Sequence, residues 1–153
     1  MAFNNPPVVT AQMLIRKPIA EVFEAFVNPD ITSRFWFTRS SGRLETGAMI
    51  RWDWEMYGVG ADVTVLAVEP NRRIHIEWGD PPCLVEWHFT PHGDSAALVR
   101  ISNSGFTGRA NEIMEKALDA KGGFTSVLAA AKALLEHGIE LNLVADQYPG
   151  DDE

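Results

Sequence analysis

Four side chains able to hold a metal or move a proton crowd the middle of the chain: His75, Glu77, Glu86 and His88, within "RIHIEWGDPPCLVEWHF". If the "GDPP" turn sets Trp78 opposite Val85, His75 faces His88 and Glu77 faces Glu86 across two strands, a donor set competent for a divalent cation. Arg73 and Arg100 fall on the same face and offer the blander outcome, in which the acids are neutralised on a solvated surface; the sequence is read as having no metal site and no cofactor. A second chemistry belongs to the five tryptophans. In "RWDWEMYG", residues 51–58, two of them stand two positions apart, so that Ile50, Trp52, Trp54 and Met56 share one face of a strand and Arg51, Asp53 and Glu55 share the other. Indoles gathered on one face either interlock as core or line an apolar cavity. Nucleophilic chemistry has little support, since no G-x-S-x-G, H-E-x-x-H, G-x-x-x-x-G-K or strand-linked G-x-G-x-x-G motif is present. Cys83 is the one cysteine, with no basic neighbour in sequence, and is read as a small residue at the start of a strand.

The elements that must position these groups follow from hydrophobic period. Residues 8–15, "VVTAQMLI", predict a first strand, and "PIAEVFEAFV" a short helix with Pro18 in its first turn and "NPD" as its stop. A second helical turn is expected in "ITSRFW". From residue 40 the period becomes two, predicting strands near 41–45, 48–56, 60–69, 72–78, 83–90 and 95–104, separated by turn chemistry. The alternation sends Val63, Val65 and Ala67, then Ile74, Ile76 and Trp78, Val85, Trp87 and Phe89, and Ala97, Val99 and Ile101 to the tryptophan side. A sheet with one apolar face needs a cover. The stripe from Ile113 to Leu135 within 109–138 predicts one long amphipathic helix, about 40 Å at 1.5 Å per residue, ended near Gly138. Gly122 and Gly123 in its middle each cost about 1 kcal/mol against alanine, so a bend or a close backbone approach is expected there.

That order of elements, together with "KPIAEVFEAFVNPD", Trp36, "AVEPNRRIHIEW", "NSGF" at 103–106, "GGF" and "LLEHG", resembles the activator of heat-shock-protein-90 ATPase homologue-like family of the SRPBCC superfamily, which groups START, polyketide-cyclase and birch-pollen-allergen-like proteins. The match spans about residues 8–139. The resemblance implies an α+β helix-grip (START-like) fold: a curved antiparallel sheet of six to seven strands wrapped over a long C-terminal helix, with two short helices after the first strand. It also implies an elongated apolar cavity under that helix, lined here by Trp36, Trp52, Trp54, Met56, Trp78, Trp87, Phe89, Asn103, Phe124 and Leu128. Asn103 is the polar side chain whose alternation points inward from the last strand. Arg34, Arg39 and Tyr57 lie in connections expected to edge the mouth, where an arginine would suit an acidic group on a hydrophobic ligand.

Composition narrows the partners. At 153 residues with 46% hydrophobic and 22% charged residues, the chain is expected to form a single domain over 1–153, with its core at about 8–139 and a flexible acidic tail over 145–153. A formal net charge of -8 disfavours nucleic acid and anionic lipid. No stretch approaches the roughly 20 apolar residues of a membrane span and no leader is evident, so a cytoplasmic protein without membrane insertion is expected. The function read from the sequence is binding of a hydrophobic small molecule, or stress- or chaperone-related regulation by resemblance. The alternatives are a polyketide cyclase-like enzyme using the same cavity and a protein-interaction module with a filled core.

Overall fold

The alternating stretch between residues 49 and 104 folds as consecutive antiparallel strands. In the computed structural model, which describes residues 6–149, the elements run β1 (Val9–Ile15), α1 (Ile19–Val27), α2 (Pro29–Thr32), β2 (Arg39–Ser40), β3 (Met49–Trp54), β4 (Val59–Glu69), β5 (Arg73–Trp78), β6 (Cys83–Pro91), β7 (Ala97–Ser104), α3 (Ala110–His137) and α4 (Leu143–Gln147). The seven strands form one antiparallel sheet in the order β1-β7-β6-β5-β4-β3-β2. This is the helix-grip arrangement, with α3 lying against one face.

The apolar face carries Trp52, Val63, Val65, Ile74, Ile76, Val85, Trp87, Val99 and Ile101, all buried with Phe124, Val127, Leu128 and Ala131 of α3. Two lysines anchor that helix. Lys121 Nζ donates to Thr10 O and Lys132 Nζ to Leu14 O at 2.7 Å, so α3 runs along the open edge of β1 and satisfies carbonyls that an edge strand leaves free. The match is geometric, because eleven residues of helix and four of strand both span about 13–16 Å. Gly138, at φ 67°, ends the helix in the left-handed conformation that glycine adopts without a Cβ clash.

Several expectations are corrected. Residues 41–45 are not a strand; β2 is only Arg39–Ser40, because Ser40 Oγ donates to Gly42 O at 2.8 Å and closes a local turn that competes with the ladder. Leu44 then packs into the core instead. Met56 does not continue the tryptophan face. β3 stops at Trp54, residues Glu55–Tyr57 form a 3-10 turn, and Met56 is exposed. A bulge between Val65 and Ala67 inverts the later part of β4, so Val68 rather than Ala67 packs on the core and Leu66 and Ala67 fall on the other side of the register. The β5–β6 hairpin pairs Trp78 with Cys83 and His75 with Glu86, two residues from the register that would oppose the histidines, because the loop closes over four residues. Gly122 and Gly123 lie inside a continuous helix, and a Cβ on either would meet no atom within 4 Å, so close backbone approach is not their role. Residues 145–147 of the acidic tail fall in α4, and residues 150–153 lie outside those described.

Candidate functional site

Phenylalanines from the α1–α2 region fill one end of the space under the sheet. Phe23 meets Phe89 edge-on with ring centres 5.0 Å apart, Phe26 lies 5.9 Å from the same ring, and Phe37 stacks on Trp52 at 4.9 Å. Trp36 sits between this cluster and the other end. Its ring centre is 4.9 Å from Trp52, 6.0 Å from Trp87, 5.8 Å from Trp78 and 6.0 Å from Phe124.

Beyond Trp36 the space is not filled. A cavity of about 270 Å³ lies between β5, β7, α3 and α4, lined by Trp36, Trp78, Asn103, Asp119, Ala120, Gly123, Phe124, Val127, Val144 and Gln147. Its walls are indole and phenyl faces, and its roof is the small-residue stretch of α3. The volume is near the lower end for small-molecule pockets, about 300 Å³, which suits a compact guest. α4 closes one side through Val144 and Gln147. Tyr57 holds it there, its hydroxyl donating to Val144 O while its ring meets Tyr148 edge-on at 6.3 Å.

Of the residues expected to form the lining, the structure brings Trp36, Trp78, Asn103 and Phe124 to the cavity. Trp52, Trp87, Phe89 and Leu128 are buried behind it as core, and Trp54 is half-buried against Trp36 and Trp78. Met56 instead edges a smaller adjoining pocket with Arg34, Glu140 and Leu143, which shares Trp36 and Val144 with the first. Ala120, Gly123 and Val127 belong to the helix stripe that was legible in the sequence, whereas Asp119, Val144 and Gln147 were missed. Asp119 stands four residues before Gly123, one turn away on the same helix face, and that spacing was the available signal. Val144 and Gln147 share a face of α4 by their three-residue spacing, in a segment whose composition reads as tail.

The polar groups fall in an order the sequence did not reveal. Asn103 is almost wholly buried, with Nδ2 donating to Leu84 O at 2.8 Å and lying 3.5 Å from Cys83 Sγ. Neither expected arginine edges the cavity. Arg34 pairs with Glu140 at 3.4 Å, and Arg39 lies beside Arg51 and Asp53 on the opposite side of the sheet. The ionisable side chain in the lining is Asp119, at the exposed rim.

The cluster on the wet face is an ion-pair network. Arg73 Nε lies 3.1 Å from Glu86 Oε2, Arg73 Nη2 donates to His75 Nδ1 at 3.1 Å, and His88 Nε2 lies 2.8 Å from the same Glu86 oxygen. The hydrogen bond from Arg73, acting against burial, holds the Glu86 carboxyl below the usual carboxylate range. Glu77 pairs with Leu84, so the two glutamates are not opposed. Among the described residues, no three His, Cys, Asp or Glu side chains converge as a metal site requires. His75 and Asp53, the groups whose presence inside the cavity would favour acid–base catalysis, both pair elsewhere: His75 belongs to this network, and Asp53 lies 3.3 Å from Arg51 in a separate ion pair. No helix among the described residues is long and apolar enough to cross a membrane.

Comparison with known structures finds the same fold. The protein SSP2350 from Staphylococcus saprophyticus is 28% identical, with a TM-score of 0.78 over 88% of this chain and 96% of that one. DynU16, a protein of the dynemicin biosynthetic locus, is 25% identical with a TM-score of 0.76, covering 87% of this chain but 48% of its own. The Aha1 dimer from Colwellia psychrerythraea shares the fold at 17% identity, with a TM-score of 0.74 over 86% of this chain and 98% of that one. No curated protein sequence matches the chain. Residues 16–136 match the model of the family described as Activator of Hsp90 ATPase homolog 1-like protein, and the chain belongs to that family.

Proposed function

We propose that this protein binds a compact hydrophobic molecule, with aromatic character, in the cavity between Trp36, Trp78 and Phe124. The observation that carries the reading is the open space at Gly123. Its backbone lines the cavity in mid-helix, where glycine weakens the helix, yet no neighbour occupies the place of its missing side chain. The aromatic walls offer faces and edges to a flat guest, and burial of a small ligand's apolar surface against them is the expected source of affinity. The likeness to DynU16 supports a guest from biosynthetic chemistry.

Titration with N-phenyl-1-naphthylamine tests the reading, since Trp36 and Trp78 line the cavity and report occupancy through their emission. The expected result is saturable quenching of tryptophan emission in the native chain and loss of that quenching in Gly123→Leu, whose side chain would take up part of the cavity beside the aromatic walls. Absence of quenching in the native chain, up to the solubility of the probe, overturns the reading. A chaperone-related role would instead use exposed surface, so Gly123→Leu would leave capture of a chaperone unchanged.

A further inference from the structure

Resting on that cavity reading, we infer that the natural guest is a neutral aromatic molecule bearing a hydroxyl group, which donates its proton to Asn103 Oδ1, and that the site discriminates against carboxylates. Asn103 reaches the cavity from β7. Its Nδ2 is committed to Leu84 O, and only the NH2 end of the amide can donate to a carbonyl, so the orientation of the group follows from this contact. Oδ1 is therefore turned away from Leu84, and among the described residues no donor reaches it. Among the described residues the side-chain atoms that are both buried and unpartnered are His75 Nε2 and Trp87 Nε1, so Asn103 Oδ1, on a residue otherwise almost wholly buried, stays reachable from the cavity, and a ligand O–H placed between the aromatic walls would donate to it.

Charge points the same way. No arginine, lysine or histidine lines the cavity, and the nearby cations are occupied elsewhere. Arg34 faces Glu140, Lys116 Nζ donates to Thr107 O at 2.8 Å, and Lys121 donates to the β1 edge. Asp119 at the rim has no ion-pair partner among the described residues. An anionic ligand would meet that carboxylate on entry and a carbonyl-type acceptor at the inner end, with no cation to offset either. A phenol at neutral pH keeps its proton and meets neither penalty.

Isothermal titration calorimetry at pH 7 with three two-ring probes of matched shape decides the matter: 2-naphthol, naphthalene and 2-naphthoate. The expected order is 2-naphthol tightest, by about tenfold over naphthalene as one hydrogen bond in a buried site supplies, and 2-naphthoate weakest. In Asn103→Leu, similar in volume but without the acceptor, 2-naphthol and naphthalene should bind equally, with the melting temperature recorded alongside. If that variant does not fold, the order of the three probes on the native chain still decides. Equal binding of naphthalene and 2-naphthol, or tightest binding of 2-naphthoate, overturns the inference and leaves the cavity reading intact. Heats absent for all three probes overturn both.

Discussion

The same residue types do opposite things at the two ends of the sheet. Trp52 and Trp87 are sealed, because phenylalanines of the α1–α2 region and the neighbouring Trp36 complete the packing around them. Trp78, on the same apolar face two strands from Trp52, is only half-buried, because the helix above it presents Ala120 and Gly123. Whether a bulky side chain becomes core or cavity wall thus depends on the size of what stands opposite, and less on its own hydrophobicity. Trp36 belongs to both environments, with one set of contacts in the packed cluster and another at the cavity.

Substitutions at the two ends separate these roles. The largest effect is expected for Trp52→Ala, which should cost about 3–5 kcal/mol in urea unfolding, whereas Trp78→Ala should cost about half as much because one side of that ring already faces open space. Equal losses would erase the distinction between the ends. At the roof, Gly123→Ala should raise stability by up to about 1 kcal/mol, since its Cβ meets nothing within 4 Å, while weakening the guest; Gly123→Leu should abolish binding without unfolding the chain.

The wet face supplies a smaller, pH-dependent effect. Because the folded-state pKa of Glu86 is depressed by Arg73, the unfolded chain takes up a proton first as pH falls. The associated stability is present above the ordinary carboxylate pKa of 4.5 and is lost as pH drops through the lower folded value. Arg73→Met should therefore cost about 0.5–1 kcal/mol at pH 7 and make the melting temperature fall less steeply than in the native chain between pH 5 and pH 3. An unchanged slope would show that the pair does not set the acid limit. The smallest effect is expected for Tyr57→Phe, which removes the hydroxyl holding α4. Global stability should change by less than about 1 kcal/mol, while amide exchange over 143–147 accelerates because that short helix opens locally.

Much of the fold was legible because period and burial are local properties. The strands from 49 to 104, the extent of α3 within one residue at each end, and the inward placement of Trp52, Trp87 and Asn103 all follow from alternation or helical spacing. The errors arise where a local choice overrides the period. A serine turn dissolves the expected strand at 41–45, a 3-10 turn takes Met56 off the face, and a bulge exchanges Ala67 for Val68. Hairpin register is another such case, because a shift of two residues preserves sidedness and leaves no trace in the hydrophobic pattern while changing every cross-strand partner.

The candidate site was half legible for the same reason. Sequence alone determined that indoles would converge on one face, that an alanine- and glycine-rich helix would cover them, and that Asn103 would be drawn inside. Only the tertiary structure decided that the phenylalanines crowd one end and leave the other hollow, that the lysines clamp α3 to the β1 edge, and that Asp119 rather than an arginine stands at the rim. Those outcomes depend on distances between segments remote in the chain, and a pattern of residue types carries sidedness but not separation.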